Sequence, residues 1–346
     1  MQSESRFTVR PATATLDAGS LAVALTLAGS AYAATSHDSS ARLLPDTTVT
    51  TNKGKVCGLT ADGVTTYGSI PYAAPPVGTL RWKSPQPAKA RKGVRQATTE
   101  PVECTNVFTD QNTSEDCLNV KVQIPAGAKP GEKLPVMFEF HGGGFLGEAR
   151  TDNGSKLVRT GKVVYVYVNY RLGVLGFLPA KSLGAHSGDY GLRDQQAGLR
   201  WVQHNIARFG GDPRNVTVFG ESTGGASTCA QVASPTAKGL FQNAISVSGF
   251  YNYQNNIVWS NADCKSTYFT EAQAQQAGAR FAQKVGCGNV ADVAACLRKI
   301  PAEELVKEGG QVGDPTGGGT WCGSCRQRVA ASGSVTRPRA SSGATD

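Results

Sequence analysis

The chain has 346 residues, 40% of them apolar and 41 of them glycine, with a formal net charge of +9. That length can bury a substantial core, as one large α/β domain or two smaller ones, and the composition argues against a fibrous or disordered chain. Four arginines against one aspartate in the last 22 residues account for three of the nine charges. Elsewhere the lysines and arginines are scattered and no basic run interleaves with aromatics, which argues against nucleic acid as a partner.

Arg6 and Arg10 precede the apolar run from Leu21 to Ala28, and Ala31-Tyr32-Ala33 offers the small residues of a cleavage site. Residues 1–33 are therefore expected to be a signal peptide, with secretion to follow; the alternative is an apolar helix of the mature domain. The run is too short to cross a bilayer, and no other stretch is long and apolar enough, so no membrane span is expected. Nine cysteines in such a chain imply disulfides with at least one thiol left over. Asn112, Asn153 and Asn215 each begin a glycosylation sequon.

After a polar stretch, Val49 to Thr60 alternates around Asn52-Lys53-Gly54 and reads as a hairpin. Residues 70–82 are rich in proline, without helical spacing, and suit a rigid surface wall of a binding cleft. Cys104 and Cys117 bracket a polar loop that a disulfide could close. Leu118 to Ile124 and Leu134 to Phe140 read as strands, the second running straight into His141-Gly142-Gly143-Gly144-Phe145. Three consecutive glycines occur in plain linkers, but after a buried strand they fit a loop that turns its amides toward a reacting oxygen.

Val163 to Val168 is an apolar strand, and Tyr190 to Ala207 has helical spacing. Val216 to Phe219 is a short β-branched and aromatic run. Gly220 to Gly224 then fits G-x-S-x-G, and small residues follow as a helix would. This is a nucleophile elbow, a turn that holds Ser222 at the end of a strand and needs glycine on either side so that strand and helix can pass closely. Ala244 to Val247 is one more strand. Residues 271–306 are helical, broken at Gly286-Cys287-Gly288 and at Pro301, with Cys287 and Cys296 as a second candidate disulfide. Strand and helix alternate as in an α/β fold with a mainly parallel central sheet flanked by helices.

With these pieces assembled, the chain resembles the type-B carboxylesterase and lipase family, which includes the cholinesterases. Residues 115–125 are similar to one family signature, with Asn119 in place of the usual aromatic, and residues 209–224 match its serine signature throughout. Asn169 to Gly173 and Tyr190 to Gln195 also resemble family segments, and the likeness spans residues 49–308. It implies an α/β-hydrolase fold over residues 34–308, incomplete at the C-terminus. It also implies Ser222 as nucleophile, with the amides of Gly143, Gly144 and Thr223 as oxyanion hole. Thr223 stands where the family usually has alanine. The same resemblance pairs Cys104 with Cys117 and Cys287 with Cys296, and makes Arg171 and Asp194 a buried ion pair. Glu221 is assigned a supporting role, not that of the triad acid. The implied substrate is a small-molecule or lipid ester, and serine chemistry of this kind calls for no cofactor or metal.

The family order is serine, acid, histidine, yet His37, His141, His186 and His204 all precede Ser222. None of them is placed to serve as its base, because a triad is a matter of geometry. Glu303, Glu304 and Glu308 read as a solvated helix face and not as the triad acid. Residues 309–346 are rich in Gly, Ser, Thr, Ala and Arg; they are expected to be a disordered tail, replacing the family's C-terminal portion. Trp321-Cys322-Gly323-Ser324-Cys325 inside it looks like a redox motif without the helix and βαβ setting that chemistry needs, so chance is the preferred reading. The leading expectation is a secreted ester hydrolase, inactive in this form for want of a triad histidine. The alternative is a noncatalytic cholinesterase-like adhesion or binding module.

Overall fold

A computed structural model of the chain describes residues 47–107, 113–147, 154–184, 187–249 and 270–309. The signal peptide, His37, His186, the sequons at Asn112 and Asn153, and the tail with its Cys322 and Cys325 lie outside the described residues.

The chain opens with the expected hairpin: β1 (Thr48–Thr51) and β2 (Gly54–Cys57) pair antiparallel, with Thr51 opposite Gly54 across Asn52-Lys53. β3 (Leu59–Ala61) and β4 (Val64–Pro71) form a second antiparallel pair. β5 (Val94–Gln96) runs parallel to β2, and β6 (Glu103–Cys104) parallel to β7 (Thr113–Ser114). β8 (Asn119–Pro125), β9 (Leu134–Phe140), α1 (Ser155–Gly161), β10 (Val164–Val168), α2 (Gly173–Phe177) and α3 (Tyr190–Asn205) follow. Then come β11 (Gly211–Glu221), α4 (Thr223–Ala233), β12 (Asn243–Val247), α5 (Glu271–Lys284), α6 (Val293–Lys299) and α7 (Ala302–Gly309).

The central sheet has seven strands in the order β12-β11-β9-β10-β8-β4-β3. Its β12-β11-β9-β10 half is parallel, whereas β8, β4 and β3 are antiparallel to their neighbours. The α/β class stands, and the sheet is mixed because its early strands join without a helical crossover: β3 and β4 meet at a tight turn, and β4 reaches β8 through residues 72–118, which hold β5, β6 and β7.

Strand periodicity sorts the two faces. On β10, Val164, Val166 and Val168 enter the main core together with Val136, Phe138 and Phe140 of β9 and Val120, Val122 and Ile124 of β8. Leu199 and Val202 of α3 close that core from one side. On the opposite face Tyr165 and Tyr167 pack with Val158 of α1, and the β8 residues facing that way are polar. Gln123 donates to Ser155 Oγ of α1, and Lys121 pairs with Glu100. This polar face is what gives the β8 sequence its alternation.

A second core joins α5, α6 and α7 to α2 through Phe281, Leu297, Leu305, Val306, Val174 and Leu175. Trp82 lies in it, 1% exposed, with its indole N–H donating to the Val174 carbonyl at 2.8 Å. Beside it Arg81 binds Glu115 through two hydrogen bonds, 2.7 and 2.6 Å, and donates to the Ile300 carbonyl. The proline-rich segment is thus no cleft wall at its C-terminal end. It is a strap whose last two residues fasten the helical layer, because an indole and a guanidinium carry both apolar body and donors inward.

The described disulfides are Cys104–Cys117 and Cys287–Cys296, as the resemblance implies. Cys229 on α4 is disulfide-bonded too, and Cys57 is a free, half-buried thiol. Asn215, the one sequon among the described residues, is exposed in β11 where the register with β9 shifts between Gly211 and Val216.

Candidate active site

Two adjacent parallel strands bring the site together. β11 pairs with β9 up to Gly220 opposite Phe140. Each strand ends there, β9 entering the glycine loop at His141 and β11 entering the turn at Ser222. Carboxyl ends of parallel strands are where such folds gather their ligands.

Ser222 has φ 57° and ψ −123° between β11 and α4, a conformation that costs a non-glycine residue about 1–3 kcal/mol. The crossing is too tight for side chains on its flanks. A Cβ on Gly224 would stand 2.0 Å from the Phe140 carbonyl oxygen, and one on Gly220 would stand 2.4 Å from the Gly224 carbonyl carbon. The Ser222 amide donates to the Val247 carbonyl at the end of β12, 2.9 Å away, so the turn is fixed from both neighbouring strands.

The loop opposite is held as firmly. His141 is buried and stacked on Tyr170, ring centroids 4.2 Å apart, and its Nδ1–H donates to the Gly142 carbonyl at 2.8 Å. Tyr170 in turn donates its hydroxyl to the His141 carbonyl at 2.7 Å. Gly143 and Gly144 take φ of +110° and +70°, and the Gly143 carbonyl accepts from both Leu146 and Gly147. Those left-handed angles are why the loop needs glycine. Gly142 lies directly on the elbow: a Cβ added there would be 2.9 Å from the Glu221 carbonyl oxygen and 3.4 Å from the Ser222 Cβ. Ser222, Thr223 and the Gly143-Gly144 loop therefore share one spot, and Gly144 N–H donates to Thr223 Oγ1 at 3.0 Å. Past Phe145 and Leu146 the loop borders an apolar cavity lined also by Val174, Phe177 and Leu178.

Arg171 and Asp194 form the ion pair that ties the segment after β10 to α3. Nε donates to Oδ2 at 2.7 Å, Nη2 to Oδ1 at 2.8 Å, and the Arg171 amide to Oδ2 at 3.1 Å. Burial opposes the Arg171 charge, but the adjacent Asp194 carboxylate outweighs it and leaves the guanidinium pKa above its ordinary value. The Tyr72 phenol is pushed well above its ordinary value, first by burial and then by the Asp194 charge.

The remaining carboxylates and His204 lie away from the Ser222 turn or at the surface. Glu221 and the face bearing Glu303 and Glu304 are exposed, and Glu308 pairs with Lys284 at 2.9 Å. His204 is exposed on α3, its Nδ1 bonded to the Arg200 carbonyl. Sequence reading missed a buried polar seam between α3 and α4. Gln195 donates to Ser227 Oγ, Gln231 to Gln195 Oε1, and Gln196 to both Gln231 Oε1 and Ser234 Oγ, all within 3.0 Å. Helical spacing of glutamines is the signal that was available, but it looks the same as a solvated face.

The carboxylesterase family model matches residues 45–321. The chain belongs to the carboxylesterase family. Along 276 residues it is 42% identical to the para-nitrobenzyl esterase of Bacillus subtilis, covering 76% of this chain and 53% of that protein. It is 40% identical to the human cocaine esterase over 281 residues, 74% of this chain and 48% of that one. A solved para-nitrobenzyl esterase superposes with a TM-score of 0.67 at 42% identity, and a Geobacillus stearothermophilus carboxylesterase with 0.65 at 36%. These structural matches cover 77% and 76% of this carboxylesterase chain and 53% of each solved chain, which have the α/β-hydrolase fold. The chain spans about half the length of the curated relatives it matches.

Proposed function

We propose that this chain carries the nucleophile and oxyanion-hole half of a serine ester hydrolase. Ser222 Oγ attacks the ester carbonyl, and the amides of Gly143, Gly144 and Thr223 stabilise the resulting oxyanion. The alcohol leaves with the serine's proton, and water then cleaves the acyl-serine to release the acid and regenerate Ser222. The observation that carries this reading is the strained Ser222 turn packed against a loop whose glycines adopt left-handed angles. Donors fixed in advance stabilise the oxyanion without reorganising, and losing one costs about 3 kcal/mol. Substrates are small-molecule or lipid esters, and secretion fits the disulfides.

Acylation and deacylation both call for a base within hydrogen-bond reach of Ser222. An activated ester transfers its acyl group to Ser222. The second reading is a binding module that keeps the elbow as scaffold. The chain is treated with p-nitrophenyl acetate and the peptides are read by mass spectrometry. An acetyl group on Ser222 that Ser222→Ala abolishes supports the hydrolase, and acetylation that ignores Ser222 leaves the binding module. Robust turnover lost in Ser222→Ala would overturn the expectation of an inactive chain.

A further inference from the structure

The Gly144 amide is not vacant. Thr223 Oγ1 accepts its hydrogen at 3.0 Å, a contact between residues 79 apart in sequence. Thr223 is the first residue of α4 and only 4% exposed, so its hydroxyl has little water to turn to. Branching at Cβ restricts χ1 to few positions, which keeps the oxygen aimed at the loop. The residue's own N–H belongs to the first helical turn and finds no acceptor inside the helix. One hydroxyl oxygen thus lies on the Gly144 amide and, by covalent geometry, beside the Thr223 amide. A substrate oxygen that takes the Gly144 N–H has to take the place of this hydroxyl.

We propose that the Thr223 hydroxyl is a latch on the oxyanion hole. This inference rests on the assignment of Gly143, Gly144 and Thr223 as oxyanion donors. At rest the hydroxyl satisfies the Gly144 N–H and holds the loop with that donor pointing inward. An entering carbonyl oxygen takes the same donor only by displacing it. Nothing covalent changes: one neutral hydrogen bond is given up and a charge-assisted one replaces it as the oxyanion forms. The device keeps an inward-facing amide paired between visits of substrate, and it slows the first step by the strength of the bond that must open.

The test reads the latch directly. Backbone hydrogen exchange at Gly144 is followed by NMR in the wild-type chain, Thr223→Ala and Thr223→Ser. Loss of one neutral hydrogen bond speeds exchange about fivefold in Thr223→Ala, whereas Thr223→Ser keeps the wild-type rate. Equal exchange in wild type and Thr223→Ala overturns the proposal. In parallel, acetylation of Ser222 by p-nitrophenyl acetate runs about fivefold faster in Thr223→Ala, and a rate equal to or below wild type overturns the latch as a competitor. Should Ser222 take up no acetyl group in any variant, the hydrolase reading fails and the latch with it, whereas acetylation with equal exchange in wild type and Thr223→Ala overturns the latch alone.

Discussion

Asp194→Asn replaces one carboxylate oxygen with NH₂ and removes the anion from a pair that is 4% and 0% exposed at its side chains. In the native chain the carboxylate accepts three hydrogen bonds from Arg171, two from the guanidinium and one from its amide. A carboxamide offers one acceptor oxygen and turns an NH₂ toward the remaining donors. The Arg171 charge then stays buried with no anion beside it, facing the carboxamide oxygen, the Lys83 carbonyl 2.9 Å from Nη2 and the Tyr190 ring. Breaking a buried pair from one side costs about 3–5 kcal/mol, a large share of the roughly 5–15 kcal/mol that holds a domain together. The control is Glu308→Gln, whose bridge to Lys284 is 37–39% exposed and contributes at most about 1 kcal/mol. Urea unfolding followed by tryptophan fluorescence measures both. Replacing the pair together, Arg171→Met with Asp194→Leu, restores most of the loss because no charge is left uncompensated. If Asp194→Asn proves no worse than Glu308→Gln, the view that this pair ties the strand-end segment to α3 is wrong.

Gly224→Ala is expected to cost about 1–3 kcal/mol or more, since its Cβ meets the Phe140 carbonyl oxygen at 2.0 Å and must push β9 from the elbow; a thermal melt unchanged from wild type would contradict this. Alkali should destabilise the fold. Burial, with the Asp189 charge second, holds the Tyr190 phenol up at about 12, and burial likewise lifts Tyr72 and Tyr67. Unfolded phenols ionise near pH 10, so the stability these tyrosines contribute is whole below about pH 10 and falls as pH rises through about 12, by up to about 1.4 kcal/mol per pH unit for each. A urea midpoint that stays flat from pH 9 to 12 refutes that assignment. Added imidazole, a general base free in solution, should speed the loss of acetyl from Ser222; an acetyl-Ser222 lifetime that imidazole leaves unchanged would refute this.

Much of this was legible in the sequence where a local rule governs. The strand from Leu134 to Phe140 ends where its apolar alternation does, and the elbow reads from five residues because sterics leave it no freedom. Other features depend on what lies across the fold. Val216 to Phe219 announces a strand, yet β11 begins at Gly211, because Gly211 pairs with Leu134 over a bulge that turn-like Asp212 and Pro213 conceal. Residues 70–82 look like a surface loop, and only the position of Val174 and Ile300 explains why Trp82 and Arg81 turn inward. The glutamines of α3 resemble a wet face until Ser227 and Gln231 of α4 are set against them. The latch is the extreme case: Thr223 is visible as an unusual residue, but its hydroxyl acquires meaning only from an amide 79 positions earlier.

The geometry also says how the Ser222 turn and the glycine loop come to lie together. The register of two parallel strands places Gly220 against Phe140, and the next residues on each strand are the turn and the loop. The alignment is made by backbone pairing, enforced by glycines that leave no room between, and pinned by the Thr223 hydroxyl on the Gly144 amide. Strain at Ser222 is offset by the amide bond to β12 and by the packing of α4, not by a histidine or an acid. A base answers to a different constraint, hydrogen-bond reach to a hydroxyl that is already in position. The place of Ser222 is therefore settled by the sheet, and on the proposed reading its reactivity is left to whatever group approaches it and to the Thr223 hydroxyl on the Gly144 amide.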